Sequence, residues 1–162
     1  MSIERVEDFR LEIRAIHNGA LVYPYDMASV DPDLVVIALG TNDINSAPEL
    51  RPEFDSTYFE QRYGAFVDTL RELYPESAIL LSGSPMKNEA MNSGRKGALL
   101  NRIIGRVATS ARRRHPNLRI DTHEVPGRQL SGCPAGPHPS VAEHAAIAEE
   151  MLPVMRALLK PS

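Results

Sequence analysis

Apolar and charged side chains alternate from Phe9 to Arg14, with Phe9, Leu11 and Ile13 set against Arg10, Glu12 and Arg14. A period of two marks a strand with one buried face, and Asn18-Gly19 ends it, so a strand near a sheet edge is predicted here. Asp31-Pro32-Asp33 then opens Leu34-Val35-Val36-Ile37-Ala38-Leu39, which stops at Gly40. An unbroken apolar run of this length predicts a strand buried on both faces, as parallel strands under helices are. Tyr58 or Phe59, Tyr63, Phe66, Leu70 and Leu73 recur at helical spacing until Tyr74-Pro75. Ala78 to Leu81 reads as the next strand, closed by Gly83 and Pro85.

A second helix is predicted from about Lys96 to Arg114, with Leu99, Leu100, Ile103, Ile104 and Val107 on its apolar face and Pro116 beyond its end. Leu118-Arg119-Ile120 predicts a short strand. Ser140 is placed to cap a last helix whose stripe is Val141, Ile147, Met151, Val154 and Leu158. The order strand, strand, helix, strand, helix, strand, helix predicts a three-layer α/β/α, flavodoxin-like domain with a mainly parallel sheet. No repeat, low-complexity stretch or linker divides the 162 residues, so one domain over 1–162 is expected.

Composition narrows the function classes. Hydrophobic residues are 43% and charged residues 24% of the chain, the balance of a globular protein rather than a disordered one. No apolar run approaches the roughly 20 residues of a membrane helix, and Met1-Ser2-Ile3-Glu4-Arg5 has no signal-peptide core. A cytoplasmic protein is expected as written, or a secreted one if a lost start carried a signal. The net charge of −3 argues against a general nucleic-acid binder. The single cysteine, Cys133, excludes an intramolecular disulfide and a cysteine-cluster metal site, and His17, His115 and His123 lack metal-ligand spacing. No metal or cofactor is therefore expected.

Parallel sheets bind ligands beyond the carboxyl ends of their strands. There this chain carries Gly40-Thr41-Asn42-Asp43, Ser82-Gly83-Ser84-Pro85, and Ser131-Gly132-Cys133 leading to His138-Pro139-Ser140. Taken alone, Asn42 and Asp43 fit a simple turn and His138 a surface histidine. Taken together, Pro32 to Asp43 and Gly132 to His144 resemble the third and last sequence blocks of the SGNH or GDSL-type hydrolases. Within them they are most similar to the family 2 carbohydrate esterases, the acetylxylan esterases that remove acetyl groups from plant polysaccharides. The stretch His17 to Val22 is similar, more weakly, to the second block, and the resemblance covers about Phe9 to Leu159.

The resemblance implies acyl transfer. A serine oxygen attacks the ester carbonyl, and His138 takes its proton as general base. Asn42 donates its side-chain amide to the oxyanion, a backbone N–H near Gly19 assists, Gly40 lines the same hole, and Asp43 braces the loop. The implied partner is a small-molecule or polysaccharide acyl ester, with neither nucleic acid nor membrane. Two positions depart from the family. No Gly-Asp-Ser, the block that supplies the nucleophile, occurs in these 162 residues, its expected place falling before Met1. Ala135 also stands three residues ahead of the base, where the family commonly has Asp; some carbohydrate esterases orient the histidine with a main-chain carbonyl instead.

Loss of a catalytic serine costs about 10⁶ in turnover, so the chain as written is expected to be inactive. Of its twelve serines, Ser82 and Ser84 alone sit at a predicted strand end, with no neighbouring base in the sequence. Cys133, five residues from His138, is read as a buried inert thiol and His144 as a packing residue. Arg112-Arg113-Arg114 complements a helix C-terminus rather than binding nucleic acid. Three readings stay open: an esterase whose start is lost by truncation, alternative start or gene-model error; a non-catalytic descendant that binds acylated carbohydrate; and an unrelated flavodoxin-like binding domain.

In the family the first strand lies between the second and third, so the sheet is expected to miss its central strand. Either the strand from Phe9 to Ile13 moves in beside Leu34–Leu39 or another chain fills the gap, since each buried backbone group left unpaired costs about 1–3 kcal/mol. The isolated chain is expected to self-associate or to be poorly soluble. Size-exclusion chromatography with a thermal melt checks this; a monomer with a cooperative melt would contradict it.

Overall fold

Ala78-Ile79-Leu80-Leu81-Ser82 carries no charge and five small or apolar side chains in succession, and all five are buried. In the computed structural model, which describes residues 12–15, 21–24, 29–44, 54–86, 94–125, 130–132 and 138–160, this segment is the middle strand of a three-stranded parallel sheet. In chain order the elements are β1 (Glu12–Ala15), β2 (Leu21–Pro24), β3 (Leu34–Ile37), α1 (Ser56–Leu73), β4 (Ala78–Ser82), α2 (Gly94–Arg114), β5 (Ile120–His123) and α3 (Val141–Leu158). The main sheet runs β3-β4-β5, with Val35 beside Ile79 and Ile79 beside Ile120.

Alternation along β4 sorts its side chains between two layers. Ile79 and Leu81 point with Ile37 and Ile120 into a core shared with Phe59, Tyr63, Phe66, Val67 and Leu70 of α1 and Leu100, Ile103, Ile104 and Val107 of α2. Ala78 and Leu80 face the other way, against Leu158 and the flank of α3. The expected three layers are therefore present.

Charged groups then fix the helices. Asp55 caps α1 by accepting from the N–H groups of Thr57 (2.8 Å) and Tyr58 (3.0 Å). Arg106 pairs with Glu60 at 2.6 Å, and Arg114 and His115 both reach Asp68, at 2.8 and 2.9 Å, so α1 and α2 are tied at two levels. Such exposed pairs contribute about 0–1 kcal/mol each and serve chiefly to set register. The basic triplet thus has particular partners as well as a helix end: Arg112 donates to the Ile120 carbonyl and to Asp121. Arg119, just before β5, donates to the carbonyls of Leu158 (2.9 Å) and Glu76 (2.7 Å). That contact brings the C-terminus of α3 to the amino ends of the strands.

Several expectations need correction. The strand expected over 9–14 is β1, and it pairs antiparallel with β2, a strand the sequence reading missed, in a separate two-stranded sheet. It does not move in beside β3; its expected beginning at Phe9 and its turn at Asn18-Gly19 lie outside the described residues. β3 ends at Ile37 rather than Leu39, and Val36 is 43% exposed. The reason is topological: among the described residues β3 pairs only with β4 and α3 lies over β4 and β5, so Val36 stays open while Leu34, on the same face, is partly covered by the cluster around Leu158. The strand expected over 118–120 instead spans Ile120 to His123, because Leu118 packs into the core as the turn arrives and pairing begins only at Ile120. Val141 is 89% exposed and does not belong to the buried stripe of α3; Tyr58 and Leu73 likewise lie at the exposed margin of α1.

The contrast between two neighbours in register is testable. Leu80→Ala is expected to cost about 2–5 kcal/mol, while Val36→Ala, beside it on the same face, changes stability by about 0.5 kcal/mol or less. Urea unfolding of the two variants checks both; equal losses would contradict the exposure of Val36.

Candidate active site

β3 runs out into a single tight turn. Gly40 has φ +105°, a conformation that L side chains avoid, and a Cβ there would lie 2.6 Å from Leu100 Cδ1 and 2.9 Å from Phe59 Cζ. Its carbonyl accepts from the N–H of Ile44 at 3.0 Å, which closes the turn over Thr41, Asn42 and Asp43. Ile44 and Asp43 are buried on the inner side, and Asn42 is left exposed at the tip. Beneath them Tyr63 is fully buried, and burial keeps its hydroxyl neutral by pushing its pKa above the ordinary range.

The other half comes from the start of α3. Because the C-terminus of α3 meets Arg119 at the amino ends of the strands, its 18 residues, about 27 Å at helical rise, carry its N-terminus to the carboxyl ends. His138 stands two residues before the N-cap, Ser140, and is exposed. Asn42 and His138 therefore sit at the same end of the sheet. Gly40 and Asp43 join Asn42 in its turn; Gly19 and Cys133 lie outside the described residues. His144 is exposed on α3, which corrects its reading as a packing residue: only Ile147 and Leu158 of this helix are buried.

The segment that carries His138 is fastened by its backbone. Gly132 donates its N–H to the His138 carbonyl at 3.0 Å. A Cβ on Gly132 would collide with the peptide joining Pro139 to Ser140, so only glycine fits there. The Glu143 carboxylate accepts from the N–H of Ser131 (3.1 and 3.2 Å), from the Ser131 hydroxyl (3.2 Å) and from the N–H of Ser140 (2.6 Å). Ser140 Oγ accepts in return from the N–H of Glu143 at 3.3 Å, completing a capping box. These donors, the Ser140 backbone foremost, hold the Glu143 carboxyl at about 2 rather than its ordinary 4.5. The sequence reading found the Ser140 cap and missed Glu143, although Ser-x-x-Glu ahead of an apolar stripe is the signature of such a box.

Two further groups lie at this end: Ser82, weighed in the sequence as a strand-end serine, and His123, read there only as lacking metal-ligand spacing. Ser82 and His123 lie side by side in register at the ends of β4 and β5, and both are buried. Ser82 Oγ donates to the Gly83 carbonyl at 3.2 Å, and Ser84 Oγ accepts from the N–H of Met86 at 3.3 Å, so each hydroxyl has a local structural use. Among the described residues no three His, Cys, Asp or Glu side chains group to hold a metal ion, and no helix is long and apolar enough to cross a membrane.

A family model described as GDSL-like lipase/acylhydrolase matches residues 10–146. The chain is 27% identical over 143 residues to an acetylxylan esterase / glucomannan deacetylase of Cellvibrio japonicus, covering 83% of this chain and 33% of that protein. A solved family two carbohydrate esterase from Cellvibrio japonicus matches with a TM-score of 0.67 and 26% identity over 88% of this chain and 38% of its own. A family two carbohydrate esterase from Clostridium thermocellum, solved in complex with cellohexaose, matches with a TM-score of 0.64 and 26% identity over 84% of this chain and 39% of its own. The chain thus spans a little over one third of the length of these solved relatives.

Two outcomes are expected. Gly132→Ala forces Pro139 and Ser140 away and perturbs the amide resonances of His138 and of 140–143 while leaving those of β4 in place; unchanged resonances there would contradict the packing. For Glu143 the folded pKa lies below the unfolded one, so the stability it contributes is present above about pH 4.5 and is lost as pH falls through about 2. The carboxyl chemical shift of Glu143, followed by acid titration, should show its midpoint near 2; a midpoint near 4.5 would contradict the hydrogen bonds.

Proposed function

The chain belongs to the GDSL-like lipase/acylhydrolase family, and on that premise we propose that its carboxyl-end turns form the base and oxyanion half of a carbohydrate O-deacetylation site. One observation carries the reading: Asn42, at the tip of the turn after β3, and His138, ahead of α3, stand at the same end of one parallel sheet. In this reading His138 takes the proton of an attacking serine hydroxyl and returns a proton to the departing sugar oxygen. The Asn42 amide donates to the carbonyl oxygen as negative charge develops on it, a contribution of roughly 10²–10³ in rate for one such donor. Asp43 and Gly40 hold the turn in shape. The substrate class is an acetylated plant polysaccharide, in keeping with the relative named for acetylxylan and glucomannan deacetylation.

The attacking serine is not supplied by a Gly-Asp-Ser within these 162 residues. That observation favours a second reading for the chain taken by itself: it holds an acylated sugar without cleaving it. Both readings place the acetyl group between Asn42 and His138, and they differ in turnover.

Titration with an acetylated xylo-oligosaccharide, followed by NMR, is expected to shift the side-chain amide of Asn42 and the ring of His138 together. Shifts confined to other residues, or none, would overturn the assignment. Hydrolysis of a chromogenic acetate ester by the 162-residue chain should equal that of its His138→Ala variant. Robust turnover that disappears in the variant would reveal a nucleophile elsewhere in the chain and decide for an enzyme over a binding protein.

A further inference from the structure

His138 is exposed, so its place depends on its backbone rather than on side chains packed around it. We infer that Glu143 is a positioning residue for His138, its carboxylate clamping together the two ends of the segment that carries the histidine. The inference rests on the reading of His138 as the base.

The contacts go beyond what a helix start requires. A capping box needs one carboxylate oxygen on the N-cap N–H, and Oε2 of Glu143 meets that need at Ser140, 2.6 Å away. Ser131 lies nine residues earlier in the chain, yet its N–H and its hydroxyl both donate to Oε1, at 3.1 and 3.2 Å. One carboxylate therefore joins a residue seven positions before His138 to a residue two positions after it. Inside that closure Gly132 donates to the His138 carbonyl at 3.0 Å, and its missing side chain lets its backbone lie against Pro139 and Ser140.

The chemistry suits the task. Hydrogen bonds to a carboxylate are stronger than neutral ones, and Glu143, held near 2, keeps its charge throughout the range in which an imidazole titrates. Ala135 stands where the resemblance leads one to expect an orienting Asp. Here position is set from the backbone side, through Ser131, Gly132 and Ser140.

Amide hydrogen exchange in the full chain tests the clamp without any need for turnover. Glu143→Ala is expected to speed exchange at Ser131, Gly132 and Ser140 about five- to tenfold, the ratio that corresponds to one lost hydrogen bond, with Leu81 and Ile104 unchanged. Glu143→Gln offers a single carbonyl oxygen in place of two acceptors, so it should keep one of Ser131 and Ser140 protected while the other exchanges fast, and should move the His138 ring resonances part of the way back to those of the parent chain. Ser140→Ala removes the hydroxyl cap but leaves the Ser140 N–H, so Ser131 should stay protected. The clamp is overturned if Glu143→Ala leaves Ser131 and Gly132 unchanged, or if Ser140→Ala releases Ser131 as fully as Glu143→Ala does, which would reduce Glu143 to a helix cap. The oligosaccharide titration reads the role of His138 separately, so the clamp and the base assignment fail by different measurements.

Discussion

Parallel pairing of three strands is the constraint from which the placement of every candidate group follows. Because β3, β4 and β5 run the same way, all three chains leave the sheet at one end, and the helices that return them begin there. A turn after β3 and a loop before α3, some hundred residues apart in sequence, are thereby brought to one edge of the sheet. The pairing holds because β4 is apolar on both sides and has a helix layer on each. Packing of Ile79 and Leu81 against α1 and α2, and of Leu80 against α3, fixes where polar residues can emerge.

The two sides of the candidate site are held in different ways. Around Asn42 the determinants are steric: a glycine with positive φ pressed against Leu100 and Phe59, and buried Ile44 anchoring the far end of the turn. Around His138 they are polar, a set of backbone donors gathered on one carboxylate and one carbonyl. A steric turn keeps its shape across pH and salt. The polar clamp rests on a carboxylate held at about 2, so it too persists at neutral pH.

Much of this could be read from the chain. The helical periodicities of α1 and α2, the Ser140 cap and the apolar run of β4 each announced their elements, because local pattern and tertiary burial agree there. Gly40-Thr41-Asn42-Asp43 and His138-Pro139-Ser140 stood out as polar residues at strand and helix boundaries. What escaped had nonlocal causes. Val36 looks like a core residue from its neighbours and is exposed because, among the described residues, the α3 layer lies over β4 and β5 and reaches β3 only at Leu34. Val141 fits the period of α3, yet a helix that buries only Ile147 and Leu158 leaves its first turn in solvent. β2, four residues long, carries too little alternation to be separated from a loop. The link from Glu143 to Ser131 depends on a chain reversal that no local window contains.

A crystal structure of the chain with an acetylated xylo-oligosaccharide bound tests the central claim most directly, through the distances from Asn42 Nδ2 and His138 Nε2 to the acetyl ester. The account predicts that the amide lies about 3 Å from the carbonyl oxygen and that the imidazole reaches the ester directly or through one water. An acetyl group bound elsewhere, or Asn42 and His138 directed to separate clefts, would contradict it.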